Sequence, residues 1–224
     1  GQASSSSLPE GIEKIDGLNI DGLLAAVAAD EASKEALAII QDKQQMKDLF
    51  AQMDFNGNGI CSLAEIDKMV VEKQWNISKP ALMRAYKKTT LKDGDGDAWV
   101  ERKEFAAMLR NVFFFDRLWN VFDDIDTDDD RRIDVGEFKA GMEKLGSTLT
   151  MEVAQAEFDK IDTNKGGQIL FKEFCRYVSR LLGADVEGDN VEFKDDEDRK
   201  KAGSSSAAQA SSSSLPEGIE KIGD

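Results

Sequence analysis

Residues 54–65 read DFNGNGICSLAE. Oxygen-bearing side chains stand at the first, third, fifth, ninth and twelfth positions: Asp54, Asn56, Asn58, Ser62 and Glu65. Gly59 takes the sixth position, where a chain curling around a point must turn sharply, and Ile60 at the seventh can offer a backbone carbonyl. This alternation turns oxygens towards a common centre. It is the pattern of a cradle for a hard cation, which about six to eight oxygens surround at roughly 2.3–2.6 Å.

The same register recurs three times. Residues 93–104, DGDGDAWVERKE, place Asp93, Asp95, Asp97, Glu101 and Glu104 at the ligand positions and Trp99 at the carbonyl position. Residues 126–137, DTDDDRRIDVGE, place Asp126, Asp128, Asp130, Asp134 and Glu137 there, with Arg132 at the carbonyl position. Residues 162–173, DTNKGGQILFKE, offer Asp162, Asn164 and Glu173, with Gln168 at the carbonyl position. A single acidic stretch of this kind is often a solvated helix connector. Four in one register, each ending in glutamate, point to Ca2+. Loops 2 and 3 are the richest in carboxylates, but Ala98 and Arg131 replace the turn glycine. A residue with a Cβ loses about 1 kcal/mol if φ is positive there. Loop 4 lacks side-chain oxygens at Gly166 and Leu170 and is the weakest on ligand count.

The eighth positions are Cys61, Val100, Ile133 and Ile169. Small apolar residues there suit a short β-bridge between paired loops, which also accounts for Cys61 without a redox role. Helical spacing flanks each loop: Leu37, Ile40, Met46, Leu49 and Phe50 before the first, Leu82, Ala85 and Tyr86 before the second, Leu118, Phe122 and Ile125 before the third, and Val153, Ala156, Phe158 and Ile161 before the fourth. Helix, loop, helix, four times over, is the reading. Residues 105–125 leave little room between the second and third loops beyond the helices themselves, so the two halves are expected to touch, with Phe113, Phe114 and Phe115 in the core between them.

Composition narrows the partners. With 29 basic and 44 acidic side chains the net charge is −15, which opposes binding to nucleic acid or to anionic lipid. The chain has no histidine, the commonest general base near neutral pH and the commonest zinc ligand. Two cysteines, Cys61 and Cys175, make no disulfide framework. No nucleophile–base pair, phosphate loop or cofactor fingerprint is present, and the chain is not expected to be an enzyme.

The helices and four loops, residues 35–183, resemble the calmodulin superfamily. Within it, FAAMLRNVFFFDRLWNVFDDID before loop 3 and FDKIDTNKGGQILFKEF around loop 4 are similar to the flagellar calcium-binding proteins of protists, the calflagins. The resemblance implies an all-α fold of two paired EF-hand lobes, packed compactly between flexible termini. The expected division is a flexible segment over 1–33 with a short helix, an N-terminal lobe over 34–112, a C-terminal lobe over 113–184 and a disordered tail over 185–224. It implies a calcium sensor that changes conformation and binds a protein or peptide target, in the cytoplasm and at a flagellum or cytoskeleton. Calflagins begin with an acylated Gly-Cys; here Gly1-Gln2-Ala3-Ser4-Ser5 fits only a myristoylation signal, so membrane contact is expected only if Gly1 is acylated.

One repeat lies outside the loops. QASSSSLPEGIEKI occurs at 2–15 and again at 209–222. It is the joint of a tandem array, a pair of docking peptides or a duplicated linker. An array suits the alternative function, a calcium buffer or calcium-responsive structural or contractile protein.

Overall fold

The computed structural model describes residues 15–28 and 31–183. Gly1, the tail and the two serine-rich repeats lie outside the described residues, apart from Ile15, and so do the side chains of Leu37 and Asp93. The described part is helical: α1 Ile20–Ala26, α2 Glu31–Gln41, α3 Lys43–Met53, α4 Leu63–Glu72, α5 Lys79–Lys88, α6 Phe105–Ile125, α7 Val135–Lys144, α8 Met151–Ile161 and α9 Phe171–Leu181. Four two-residue strands accompany them: β1 Ile60–Cys61, β2 Val100–Glu101, β3 Arg132–Ile133 and β4 Ile169–Leu170.

The strands pair loop 1 with loop 2 and loop 3 with loop 4, both antiparallel. Cys61 faces Val100 and Ile133 faces Ile169, so eighth position meets eighth position in each pair, and all four side chains are buried.

The apolar spacing before loop 1 spans two helices, not one. Asp42 interrupts it by capping α3, its Oδ1 accepting from the N–H groups of Gln44 and Gln45 at 2.8 and 3.0 Å. Such a carboxylate satisfies helix N-terminal donors that would otherwise lack partners.

Helix α6 is a continuous 21-residue helix serving both halves. It leaves loop 2, packs against α2 and α5, then against α7 and α9, and ends at loop 3. Apolar residues are buried along its whole length, from Phe105 to Ile125. Phe113 and Phe115 are core, with Phe113 edge-on to Trp75 at 5.2 Å, while Phe114 is half-buried. Phe122 lies at the centre of an aromatic group with Trp119, Phe171 and Phe174.

Helix α1 packs against α9. Leu23 is fully buried. Asn19 fixes its start: Nδ2 donates to the Leu145 carbonyl at 2.9 Å, Oδ1 accepts from Gly22 N–H at 3.0 Å, and its own N–H donates to Ser147 Oγ at 2.9 Å. Gly22 lies so close to the linker between α7 and α8 that a Cβ there would sit 2.1 Å from the Leu145 carbonyl oxygen. Arg117 of α6 holds the other end, donating to the Val27 carbonyl and to Ser33 Oγ. Among the described residues no helix is long and apolar enough to cross a membrane.

Candidate metal centre

Loops 1, 3 and 4 share one backbone ring. The first-position aspartate accepts two successive N–H groups from across the loop. Asp54 takes those of Asn58 and Gly59 at 3.0 and 2.8 Å, Asp126 those of Asp130 and Arg131 at 3.2 and 2.8 Å, and Asp162 those of Gly166 and Gly167 at 3.0 and 2.8 Å. In each ring the fourth and sixth residues have positive φ: Gly57 and Gly59, Asp129 and Arg131, Lys165 and Gly167. Asn56, Asn58 and Asp128 further stiffen their rings by accepting the N–H two residues on.

The twelfth-position glutamate closes every loop in the same way. One oxygen accepts the ninth-position N–H: Ser62 to Glu65 at 2.8 Å, Glu101 to Glu104 at 2.9 Å, Asp134 to Glu137 at 3.0 Å and Leu170 to Glu173 at 2.9 Å. The other reaches the start of the loop, accepting from Asn56 Nδ2, the Asp95 N–H, the Thr127 N–H and hydroxyl, and the Asn164 N–H respectively. In loops 1 and 3 the glutamate also completes a capping box on the outgoing helix with Ser62 or Asp134. The side chain that would clamp a cation thus also starts the helix.

The electrostatics of the loops reflect this geometry. Burial pushes the Asp126 carboxyl up, and the N–H groups of Arg131 and Asp130 only partly offset it. Burial acts on Glu137 too, but the Asp134 N–H and the Thr127 donors outweigh it and hold that carboxyl below its ordinary range. Carboxylate oxygens of Asp126, Asp128 and Asp130 lie within 4.8 Å of one another, and those of Asp95, Asp97 and Glu101 do the same. Loops 3 and 4 touch through side chains, with Arg132 Nη1 donating to Gln168 Oε1 at 2.8 Å and Gln168 Nε2 to Asp130 Oδ2 at 3.3 Å.

Loop 2 departs from the ring. Its sixth residue, Ala98, is absent from the positive-φ region that Arg131 occupies; Gly96, the fourth residue, is there at 87°. The incoming helix ends in a π-helical turn, Thr89–Asp93, which carries the first ligand position inside the helix. The outgoing helices of the other loops begin at the tenth position, at Leu63, Val135 and Phe171, whereas α6 begins at the thirteenth, Phe105. The Gly96 N–H donates to the Thr90 carbonyl at 3.1 Å. The residue types suit calcium in all four loops, and the backbone suits it in three.

Comparison with known proteins agrees with this architecture. Residues 115–179 match a family model described as an EF-hand domain pair. That range contains loops 3 and 4 with their sheet. The chain carries an EF-hand domain pair and is similar to calcium-binding proteins of the calmodulin superfamily. A flagellar calcium-binding protein of Trypanosoma cruzi is 29% identical over 161 residues, 66% of this chain and 76% of that one. A probable calcium-binding protein of Arabidopsis thaliana is 24% identical over 71% of this chain and 94% of its own length. Calcium-dependent protein kinase 7 of Arabidopsis thaliana is 26% identical over 65% of this chain but only 28% of the kinase, so that likeness concerns a part of a longer protein. This EF-hand protein binds Ca2+.

The EF-hand reading from sequence named the loops and the eighth-position pairing. It missed the departure of loop 2, which Ala98 does not by itself signal, since Arg131 also replaces the turn glycine and loop 3 keeps the ring. It also missed Tyr86 as part of the site: the Tyr86 hydroxyl donates to the Ala98 carbonyl.

Proposed function

We propose that the protein is a calcium sensor: filling of its loops shifts their outgoing helices and exposes an apolar surface to a protein or peptide target. The ligands are the oxygens named above, residue by residue, in the four loops. The observation that favours a sensor over a buffer is α6, which leaves loop 2 and enters loop 3 as one buried helix. A shift at either end is carried into the other lobe, whereas a buffer needs no such coupling. Glutamates that both cap a helix and face the loop centre give the ion leverage on helix position. The test is uptake of an apolar fluorescent dye by the full chain in chelator and in millimolar calcium. A calcium-dependent rise supports the sensor; equal uptake in both makes the protein a buffer. A flagellar location is proposed from the names of the trypanosome relatives. Microscopy of the tagged protein in its own cell tests it.

A further inference from the structure

Loop 2 carries the acidic residues of a strong site on a backbone that does not form the ring. Three details hold it in this shape. The Tyr86 hydroxyl, projecting from α5, donates to the carbonyl of Ala98 and pins the residue whose φ would have to change. Lys103 lies over the loop, its Nζ 2.8 Å from Glu101 Oε2 and 3.3 Å from Asp95 Oδ2, so an ammonium partly neutralises the third and ninth ligand positions. Gly94 lets the chain pass tightly under Glu104: a Cβ there would sit 2.1 Å from Oε1 and 2.8 Å from the Thr89 carbonyl oxygen.

Arg131 supplies the internal control. It too replaces a turn glycine, yet it adopts φ 67° and loop 3 keeps the ring. The substitution alone therefore does not divert loop 2. The π-turn before it does more, because π geometry winds an extra residue into the turn and shifts the register of the loop residues after it.

We propose that loop 2 is a gated calcium site, latched out of the coordinating ring by Tyr86 on Ala98, which fills only after loop 3 despite its equal carboxylate count. This rests on the calcium-binding reading of the four loops and adds an order to it. To match the other loops, Ala98 must move to positive φ and residues 102–104 must join α6. Because α6 ends at Asp126 of loop 3, a filled loop 3 that steadies the far end of α6 eases that change, giving positive coupling between the lobes. Tyr86 is a positioning residue here, since it acts on the backbone of the loop and offers no ligand to the ion.

The test is a calcium titration of the full chain followed by heat and by Trp99 emission, the Trp99→Phe chain identifying the part of the emission that reports loop 2. The expected result is a Trp99 transition at higher calcium than the first heat-releasing sites. Ala98→Gly removes the Cβ that opposes positive φ and should lower the Trp99 midpoint about fivefold, with the earlier sites less affected. Tyr86→Phe, which keeps the ring and loses only the hydroxyl, should move it in the same direction. A Trp99 transition at the lowest calcium of any site, or a midpoint unmoved or raised in Ala98→Gly, overturns the gating; a midpoint lowered in Ala98→Gly but not in Tyr86→Phe overturns the Tyr86 latch. Absence of calcium heat at every site would instead overturn the calcium reading itself.

Discussion

The N–H of Arg131 donates to Asp126 Oδ2 at 2.8 Å, and this bond accompanies a non-glycine residue at φ 67°. The ring of loop 3 therefore stores local backbone strain at its sharpest turn. Arg131→Gly should relieve about 1 kcal/mol and raise the melting temperature by about 2–4 °C in chelator. It also removes a positive charge from the loop, so loop 3 should bind calcium more tightly. Differential scanning calorimetry and a calcium titration check both; a lowered melting temperature would show that the arginine side chain contributes more than the turn costs.

Asn19 should matter to stability beyond an ordinary surface residue. Asn19→Ala removes the cap of α1 and leaves the Leu145 carbonyl without its Nδ2 donor. The expected loss is about 1–2 kcal/mol, read from denaturant midpoints at unchanged slope. Hydrogen exchange should show the α1 amides opening first. An unchanged midpoint would mean that α1 is held by its apolar face alone.

The twelfth-position glutamates can be divided by a conservative change. Glutamine keeps one acceptor oxygen for the capping box but loses the one that accepts from Thr127, so Glu137→Gln should cost about 1 kcal/mol in chelator while removing the heat of the tightest calcium site. Glu173→Gln should remove less heat, because loop 4 lacks side-chain oxygens at Gly166 and Leu170. A tightest site that survives Glu137→Gln would assign it to another loop.

Tyrosine titration gives an independent check on packing. The chain has two tyrosines, Tyr86 and Tyr177. Burial raises Tyr86 to about 12, assisted by the carboxylates of Asp97 and Glu65. Burial also raises Tyr177, with the nearby Glu157 carboxylate adding to it. An unfolded tyrosine titrates near about 10, so the folded chain holds protons that the unfolded chain releases. That contribution to stability is full below about 10 and is lost as pH rises through about 12. Phenolate absorbance near pH 11 should be small in the native protein and full in denaturant; equal absorbance would place both hydroxyls in water.

Much of this was legible in the sequence because oxygen spacing and apolar spacing are local. Asp54 to Glu65 can be read without knowing any other part of the chain, and the pairing of Cys61 with Val100 comes from two such loops lying side by side. The shape of loop 2 was not legible, because Ala98 and Arg131 look alike as replacements for glycine. What separates them is the winding of the helix before each loop, a property of Thr89–Asp93 packed against α5 and α6. The seat of α1 was hidden for a similar reason: Asn19 and Leu145 are far apart in sequence, and no local pattern announces their bond.

Calcium binding by the folded chain is tested by thermal unfolding, first in chelator and then with millimolar calcium. An ion that binds only the folded state adds about 2.7 kcal/mol per site at a hundredfold excess over its dissociation constant, and independent sites add. Calcium should raise the melting temperature by many degrees, and by less in Glu137→Gln. A melting temperature that calcium leaves unchanged would contradict it.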